Sequence, residues 1–326
     1  TLVANAALLR RRIRDPKFSM ELYGVGRRSR SDVVICYISD SVDKSVLKRM
    51  RKLIQSIDVD ALTMNIESLA ECMFTHKWIN PFPKFKYSER PDTATAAILD
   101  GNIVIMVDNS PAVMIIPASI FDIIEEADDF NFSPIIGSYL RITRFFFSIV
   151  TWILTPLWLL FVNNPDWVPE FLKFILITDD ITVPVLLQLL ILELAVDGLK
   201  LAAVNTPTML STPLSIVAGI VVGEYAVSSG WFNPEALLYM AVVTVGTYGQ
   251  TNFEMGYAFK FLRVLMLILT QIFNLAGFIS GVVISVLMIA FNRTITGKSY
   301  IYPLIPWDGK MLKRKVFRVR LPHGFK

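Results

Sequence analysis

The chain has 326 residues, 53% hydrophobic and only 18% charged, with a mean hydropathy of +0.51. Few water-solvated domains reach so positive a value, because their surfaces need more charge, so the composition argues against a soluble enzyme. The net charge of +4 is modest, its Lys and Arg gather in the N-terminal third and the last twenty or so residues, and this fits apposition to a membrane surface better than nucleic-acid binding.

Charge is dense over residues 1–129 and sparse over 145–291, the pattern of a soluble region followed by one solvated by lipid. The first residue is Thr1 and an arginine cluster follows, Arg10, Arg11, Arg12 and Arg14, so the chain is expected to continue a longer cytoplasmic region. That cluster lacks the interleaved aromatic residues of a nucleic-acid surface. With Cys36 and Cys72 as the only cysteines, neither a disulfide framework nor a cysteine-based metal site is expected, and Cys36 reads as a core thiol.

Residues 31–57 predict a strand and then a helix: Val33, Val34, Ile35, Tyr37 and Ile38 form a β-favouring run, and Val46, Leu47, Met50, Leu53, Ile54 and Ile57 recur at helical spacing. A second helix is expected over 67–74. Pro91-Asp92 opens a short alanine-rich helix that Asp100-Gly101 ends. Residues 102–108 and 112–117 read as two strands of a hairpin against helices. Asp92, Asp100 and Asp108 each sit at a cap or turn where aspartate is structurally favoured. Gly24-Val25-Gly26 is not a phosphate loop, since no strand is expected before it and no apolar helix after it.

Residues 145–162 form the clearest transmembrane helix, preceded by Arg141 and Arg144 and closed by Trp158, Phe161 and Trp167 near an interface. Further candidates are 182–197, 209–227, 234–248, 258–273 and 275–291, several of them short for a span of about 20 residues. Loop charges place both ends in the cytoplasm, which requires an even number of crossings: six if every candidate spans, four if two are re-entrant. The expected architecture is therefore an α/β cytoplasmic domain followed by an all-α multi-helix transmembrane bundle. It divides into a basic segment 1–30, an α/β domain 31–140, a transmembrane domain 141–298 and a basic cytoplasmic tail 299–326.

Polar residues at membrane depth are pathway candidates by default. Glu193 and Asp197 lie one turn apart on one helix face with Gln188 nearby. The alternative is a salt bridge with Lys200 near the interface, equally open for Glu193 and favoured for Asp197. Thr206 and Thr208, beside Pro207 and Pro213, form either a broken helix facing a cavity or a polar loop. Thr247 and Gln250 belong to the stretch 244–251, whose likeness to a potassium filter is coincidental. Glu224, Glu254, Lys260 and Arg263 are expected to be interfacial. Gly219 with Gly223, and Gly277 with Gly281, are four apart and mark helix-packing faces. No metal site or cofactor is expected.

Several stretches together resemble the GerA/SpoVAF family of spore germination proteins, of the A-subunit type. They are Arg10-Arg11-Arg12-Ile13-Arg14-Asp15-Pro16, Pro81-Phe82-Pro83 with Tyr87-Ser88-Glu89-Arg90-Pro91-Asp92, Leu99-Asp100-Gly101-Asn102 with Val107-Asp108-Asn109-Ser110-Pro111, Thr206-Pro207-Thr208-Met209-Leu210-Ser211, and Ser299-Tyr300-Ile301-Tyr302-Pro303-Leu304-Ile305-Pro306. The threonine-rich break and basic tail look closer to the SpoVAF branch. The resemblance implies a protein of the spore inner membrane whose cytoplasmic domain has a further lobe preceding this sequence. It also implies a homo-oligomeric ring, pentameric, around a pore that releases monovalent cations such as potassium. Its partners would be membrane lipid and either germinant-receptor subunits or a small membrane protein, with no nucleic acid.

Two functions follow as expectations. A pore-forming subunit predicts a polar stripe shared around a ring, led by Glu193, Thr206, Thr208 and residues 244–251. A non-conducting receptor or scaffold subunit predicts polar residues that pair within the chain. An enzyme is not expected: His76 and His323 are the only histidines, and no nucleophile and base spacing occurs.

Overall fold

A computed structural model describes residues 2–74, 80–205 and 219–319. The chain divides into two compact units, Thr1–Ile142 with Met288–Lys326, and Thr143–Leu287.

The first unit opens with α1 (Leu2–Arg12), β1 (Phe18–Val25), β2 (Ser31–Ile38), α2 (Lys44–Gln55) and α3 (Ile66–Met73). It continues with β3 (Lys86–Ser88), α4 (Pro91–Leu99), β4 (Ile103–Val107), β5 (Val113–Ile116) and α5 (Ile120–Ile124). The strands form one antiparallel sheet in the order β1-β2-β4-β5-β3. Alternation along β2 sends Val33, Ile35 and Tyr37 into a core with α2 and α3, and Val34, Cys36 and Ile38 into a second core with α1 and α4. A strand covered on both faces needs a continuous apolar run, and that is why β2, β4 and β5 were readable. Burial pushes the Cys36 thiol up to about 12, so it is an inert core group.

The Asp43 carboxylate caps α2 by accepting from the N–H groups of Ser45 and Val46. Val46, Leu47, Met50 and Ile54 form the buried face of that helix. The expected 102–117 hairpin is present as β4 and β5. Two expectations are corrected. A strand does lead into Gly26, because β1 includes Gly24 and Val25 and pairs along its whole length with β2. No helix opens after it, so the chain there is a hairpin turn rather than a strand–loop–helix phosphate loop. The hairpin of β4 and β5 is also the interior of a larger sheet, with β2 beside β4 and β3 beside β5; β1, β3 and α1 have no counterpart among the expected elements.

The helical remainder comprises α6 (Pro134–Asn163), α7 (Val185–Asn205), a π-helical turn Gly219–Tyr225 leading into Ala226–Ser228, α8 (Pro234–Tyr248), α9 (Phe253–Ala290) and α10 (Gly309–Val316). Among the described residues, α6 and α9 are long and apolar enough to cross a membrane. Helix α6 begins earlier than the apolar run 145–162 because its first turns continue from Pro134. Helix α7 starts at Val185 rather than 182, just after Pro184. The expected segments 258–273 and 275–291 are the two arms of α9, which bends at Asn274 (φ 52°, ψ −129°). Most of the expected segment 209–227 lies outside the described residues.

Candidate functional site

The second unit encloses a four-membered charge cluster. Glu193 and Asp197 stand one turn apart on α7, and Lys260 and Arg263 one turn apart on α9, so each pair shares a helix face. Arg263 Nε donates to Glu193 Oε1 at 2.5 Å, and the two residues are 2% and 4% exposed. Arg263 also donates through Nη1 to the Thr151 carbonyl of α6. Lys260 donates to the Glu193 carbonyl at 3.0 Å, lies 3.4 Å from Glu193 Oε2 and pairs with Asp197 Oδ2. Two acids thus face two bases, and Asp197 Oδ1 is buried without a hydrogen-bond partner.

This arrangement corrects the expected partner. Lys200 does not bridge Asp197; its Nζ lies 5.2 Å and 5.4 Å from the ring centroids of Tyr248 and Tyr257, in cation–π range. Lys260 and Arg263, expected at an interface, are instead packed against the α7 carboxylates. Glu193, Asp197 and Thr247 line a cavity of about 20 Å³ with Lys200 and Arg263, room for about one water.

Gln188 is buried and joins α7 to the start of α8. Its Nε2 donates to the carbonyl of Val183 and to Asn233 Oδ1, both at 2.7 Å, while its Oε1 accepts from the Asn233 N–H at 2.8 Å. Thr247 Oγ1 donates back to the Val243 carbonyl at 2.9 Å. Gln250 Oε1 accepts from Ser148 Oγ at 3.2 Å, and its Nε2 is buried without a partner. Thr206, Thr208, His76 and His323 lie outside the described residues.

The glycines divide. A Cβ built on Gly277 would stand 1.8 Å from the Leu269 carbonyl oxygen, and one on Gly281 would stand 2.7 Å from Met266 Cγ. Both therefore permit the two arms of α9 to touch. At Gly219 and Gly223 a Cβ would meet nothing within 4 Å.

The first unit holds a polar joint that the sequence reading missed. Arg141, 2% exposed, donates to Glu125 Oε1 at 2.6 Å and to Asp129 Oδ2 at 3.0 Å. Lys315 of α10 lies 2.5 Å from Asp122 Oδ1 and 3.3 Å from Glu125 Oε2. Asp122 also closes a capping box with Ser119 on α5. Burial pushes the Asp122 carboxyl up, but the Lys315 charge together with hydrogen bonds from Lys315 and Ser119 outweighs this and holds it below its ordinary value. Burial lowers the Lys86 amine, whose Nζ donates to the carbonyls of Asp122 and Glu125 at 2.7 and 2.8 Å. A cleft of about 770 Å³ opens beside this joint. The signal available in the sequence is the Ser119-x-x-Asp122 pattern, whereas Arg141 reads there only as a charge preceding the first apolar run.

The Asp residues weighed earlier are engaged locally. Arg90 holds Asp92 down to about 2, Asp100 ends α4, and Asp108 accepts from the Leu2 N–H at 3.1 Å. Among the described residues no group of three or more His, Cys, Asp or Glu is placed to hold a metal ion.

A helix-covered antiparallel sheet followed by a helical region with two helices long and apolar enough to span, and an internal charge cluster, is the make-up of a candidate membrane protein with an extramembrane sheet domain. A family model of the Bacillus/Clostridium GerA spore germination protein matches residues 1–325, and the chain belongs to that family. It is 37% identical to Stage V sporulation protein AF of Bacillus subtilis (strain 168) over 98% of this chain and 65% of that protein. It is 28% identical to spore germination protein GerLA of Bacillus cereus over 97% of this chain and 64% of that protein. The chain thus spans slightly under two thirds of the length of these curated relatives. The crystal structure of the N-terminal domain of the A subunit of the Bacillus megaterium spore germinant receptor GerK3 is similar over 35% of this chain and 90% of that one, with 30% identity and a TM-score of 0.29.

Proposed function

We propose that this chain is a multi-pass membrane subunit of the spore germination apparatus which assembles with copies of itself around a pore for monovalent cations such as potassium. In this reading the sheet domain and α10 are cytoplasmic, the membrane is the spore inner membrane, and receptor subunits or a small membrane protein are partners. The observation that carries it is the distribution of polarity in the helical unit. Apolar side chains such as Phe261, Ile272, Ile279 and Val283 are exposed to whatever surrounds the unit. Gly219 and Gly223 meanwhile stand in open space directly after the hydroxyl-rich stretch 206–215. A wall shared between copies is then better drawn from Thr206, Thr208 and the Gly219–Tyr225 turn than from Glu193, whose carboxylate is already occupied.

A second reading, a non-conducting receptor or scaffold subunit, is favoured by one observation: Glu193 and Asp197 pair with Lys260 and Arg263 of the same chain. Potassium efflux from liposomes containing the full-length protein, with and without its membrane partner, separates the two. The pore reading expects efflux that Thr206→Val and Thr208→Val reduce severalfold. Absence of efflux from a correctly inserted oligomer assigns the scaffold role.

A further inference from the structure

Leu304, Ile305, Pro306 and Trp307 are consecutive and exposed, Trp307 at 71%. Such a run is costly in water and calls for a non-aqueous cover. Helix α10 follows at once, with no buried residue and with Lys310 and Lys313 exposed. Asp308 is the acid of this stretch, and it is engaged as the cap of α10, accepting from the Met311 N–H at 3.0 Å and from the Tyr302 hydroxyl at 3.2 Å. An apolar, aromatic step thereby stands beside the exposed Lys310 and Lys313.

Its position is set by contacts within the same unit. Arg141 donates to the carbonyls of Arg314 and Lys315 at 3.2 and 3.4 Å. The Arg318 N–H donates to Ser138 Oγ at 3.0 Å, and its guanidinium donates to the carbonyls of Phe130 and Phe132. The end of α10 is thus fastened to the first turns of α6, where Ile135 and Tyr139 are 83% and 66% exposed. Helix α6 has 30 residues, about 45 Å at 1.5 Å per residue, against a hydrocarbon core of about 30 Å. Its first turns therefore extend to headgroup level if the helix spans.

We propose that residues 304–307 and the exposed lysines of α10 dock on the surface of an anionic phospholipid bilayer, on the side where α6 begins. Trp307 and Ile305 enter the interface, and Lys310 and Lys313 face lipid phosphates. Charge complementarity chooses this occupant, since aromatic and aliphatic residues flanked by lysines match a bilayer rim of acyl chain below and phosphate above. Each lysine is worth about fivefold in partition to such a surface. The proposal rests on the reading of α6 as a span.

The test uses the full chain with Cys36→Ser and Cys72→Ser, carrying a nitroxide at Leu304→Cys or, separately, at Phe146→Cys, in nanodiscs of phosphatidylcholine with or without phosphatidylglycerol. The expected result is a Leu304 label shielded from aqueous relaxant only with the anionic lipid, and released by Lys310→Gln with Lys313→Gln. A Leu304 label equally wet in both lipids, while the Phe146 label reads hydrocarbon, overturns the docking alone. A wet Phe146 label overturns the span reading itself. Release by inorganic phosphate beyond that by chloride of equal ionic strength assigns the lysines to a soluble anion and also overturns it.

Discussion

A carboxylate that leaves water for a low-dielectric interior loses several kcal/mol of hydration, and only a close, hydrogen-bonded cation restores it. Glu193 has such a cation in Arg263, and Arg263 has a further acceptor in the Thr151 carbonyl. Removing one partner leaves the other charged and buried. Glu193→Gln or Arg263→Gln alone is expected to cost about 3–5 kcal/mol, and the two together less than the sum of both. Thermal unfolding of the detergent-solubilised protein, run as a double-mutant cycle, checks this; additive losses would show that the two side chains do not depend on each other. The acid half of this cluster was legible, because Glu193 and Asp197 are four apart in an apolar run. Its basic half was not, since the nearest lysine in sequence, Lys200, shares the helix, whereas Lys260 and Arg263 arrive from α9 through tertiary folding that no local spacing encodes.

Elements were legible where one periodicity ran unbroken. Strand β2 and the hairpin of β4 and β5 read clearly because both faces are buried. Strand β1 was missed because it lies at an edge and mixes exposed Leu22 with polar neighbours, and β3 because three residues carry no pattern. The segments 258–273 and 275–291 read as two separate candidates, and the bend that joins them falls at Asn274, a residue type that tolerates positive φ better than most. The closeness of its two arms then depends on side-chain size. At Gly277 even a methyl group would collide with backbone, so Gly277→Ala forces the arms apart and is expected to destabilise by about 2 kcal/mol, within the range for overpacking. Gly223→Ala meets open space within the chain and is expected to stay within about 0.5 kcal/mol of the parent. Melting temperatures of the two variants in detergent check the contrast; equal losses would remove the packing role of Gly277.

At the scale of the whole molecule, the side-chain pairs within the second unit bear on the proposed multi-pass arrangement. Asn164, just past α6, and Asn274, at the bend of α9, exchange amide hydrogen bonds of 2.6 and 2.9 Å. Thr182 before α7 donates to the carbonyl of Gly230 before α8. These four sites mark one end of the unit, and the segment between Asn164 and Val185 carries Asp166, Glu170, Asp179 and Asp180 against Lys173. Gln250 after α8 meets Ser148, one turn past Arg144 within α6, and this pair lies toward the opposite end of the second unit. In the proposed multi-pass reading, successive segments that run between an acidic end and a basic one are what six crossings require, with the basic end inside. The prediction is made for right-side-out membrane vesicles, in a background of Cys36→Ser and Cys72→Ser. A cysteine at Asp180→Cys or Ser229→Cys should react with an impermeant maleimide from outside, and one at Lys313→Cys only after the vesicles are opened. If position 180 is labelled from outside and position 229 is not, the stretch from α7 to the π-helical turn does not return to the acidic side, and the count falls to four.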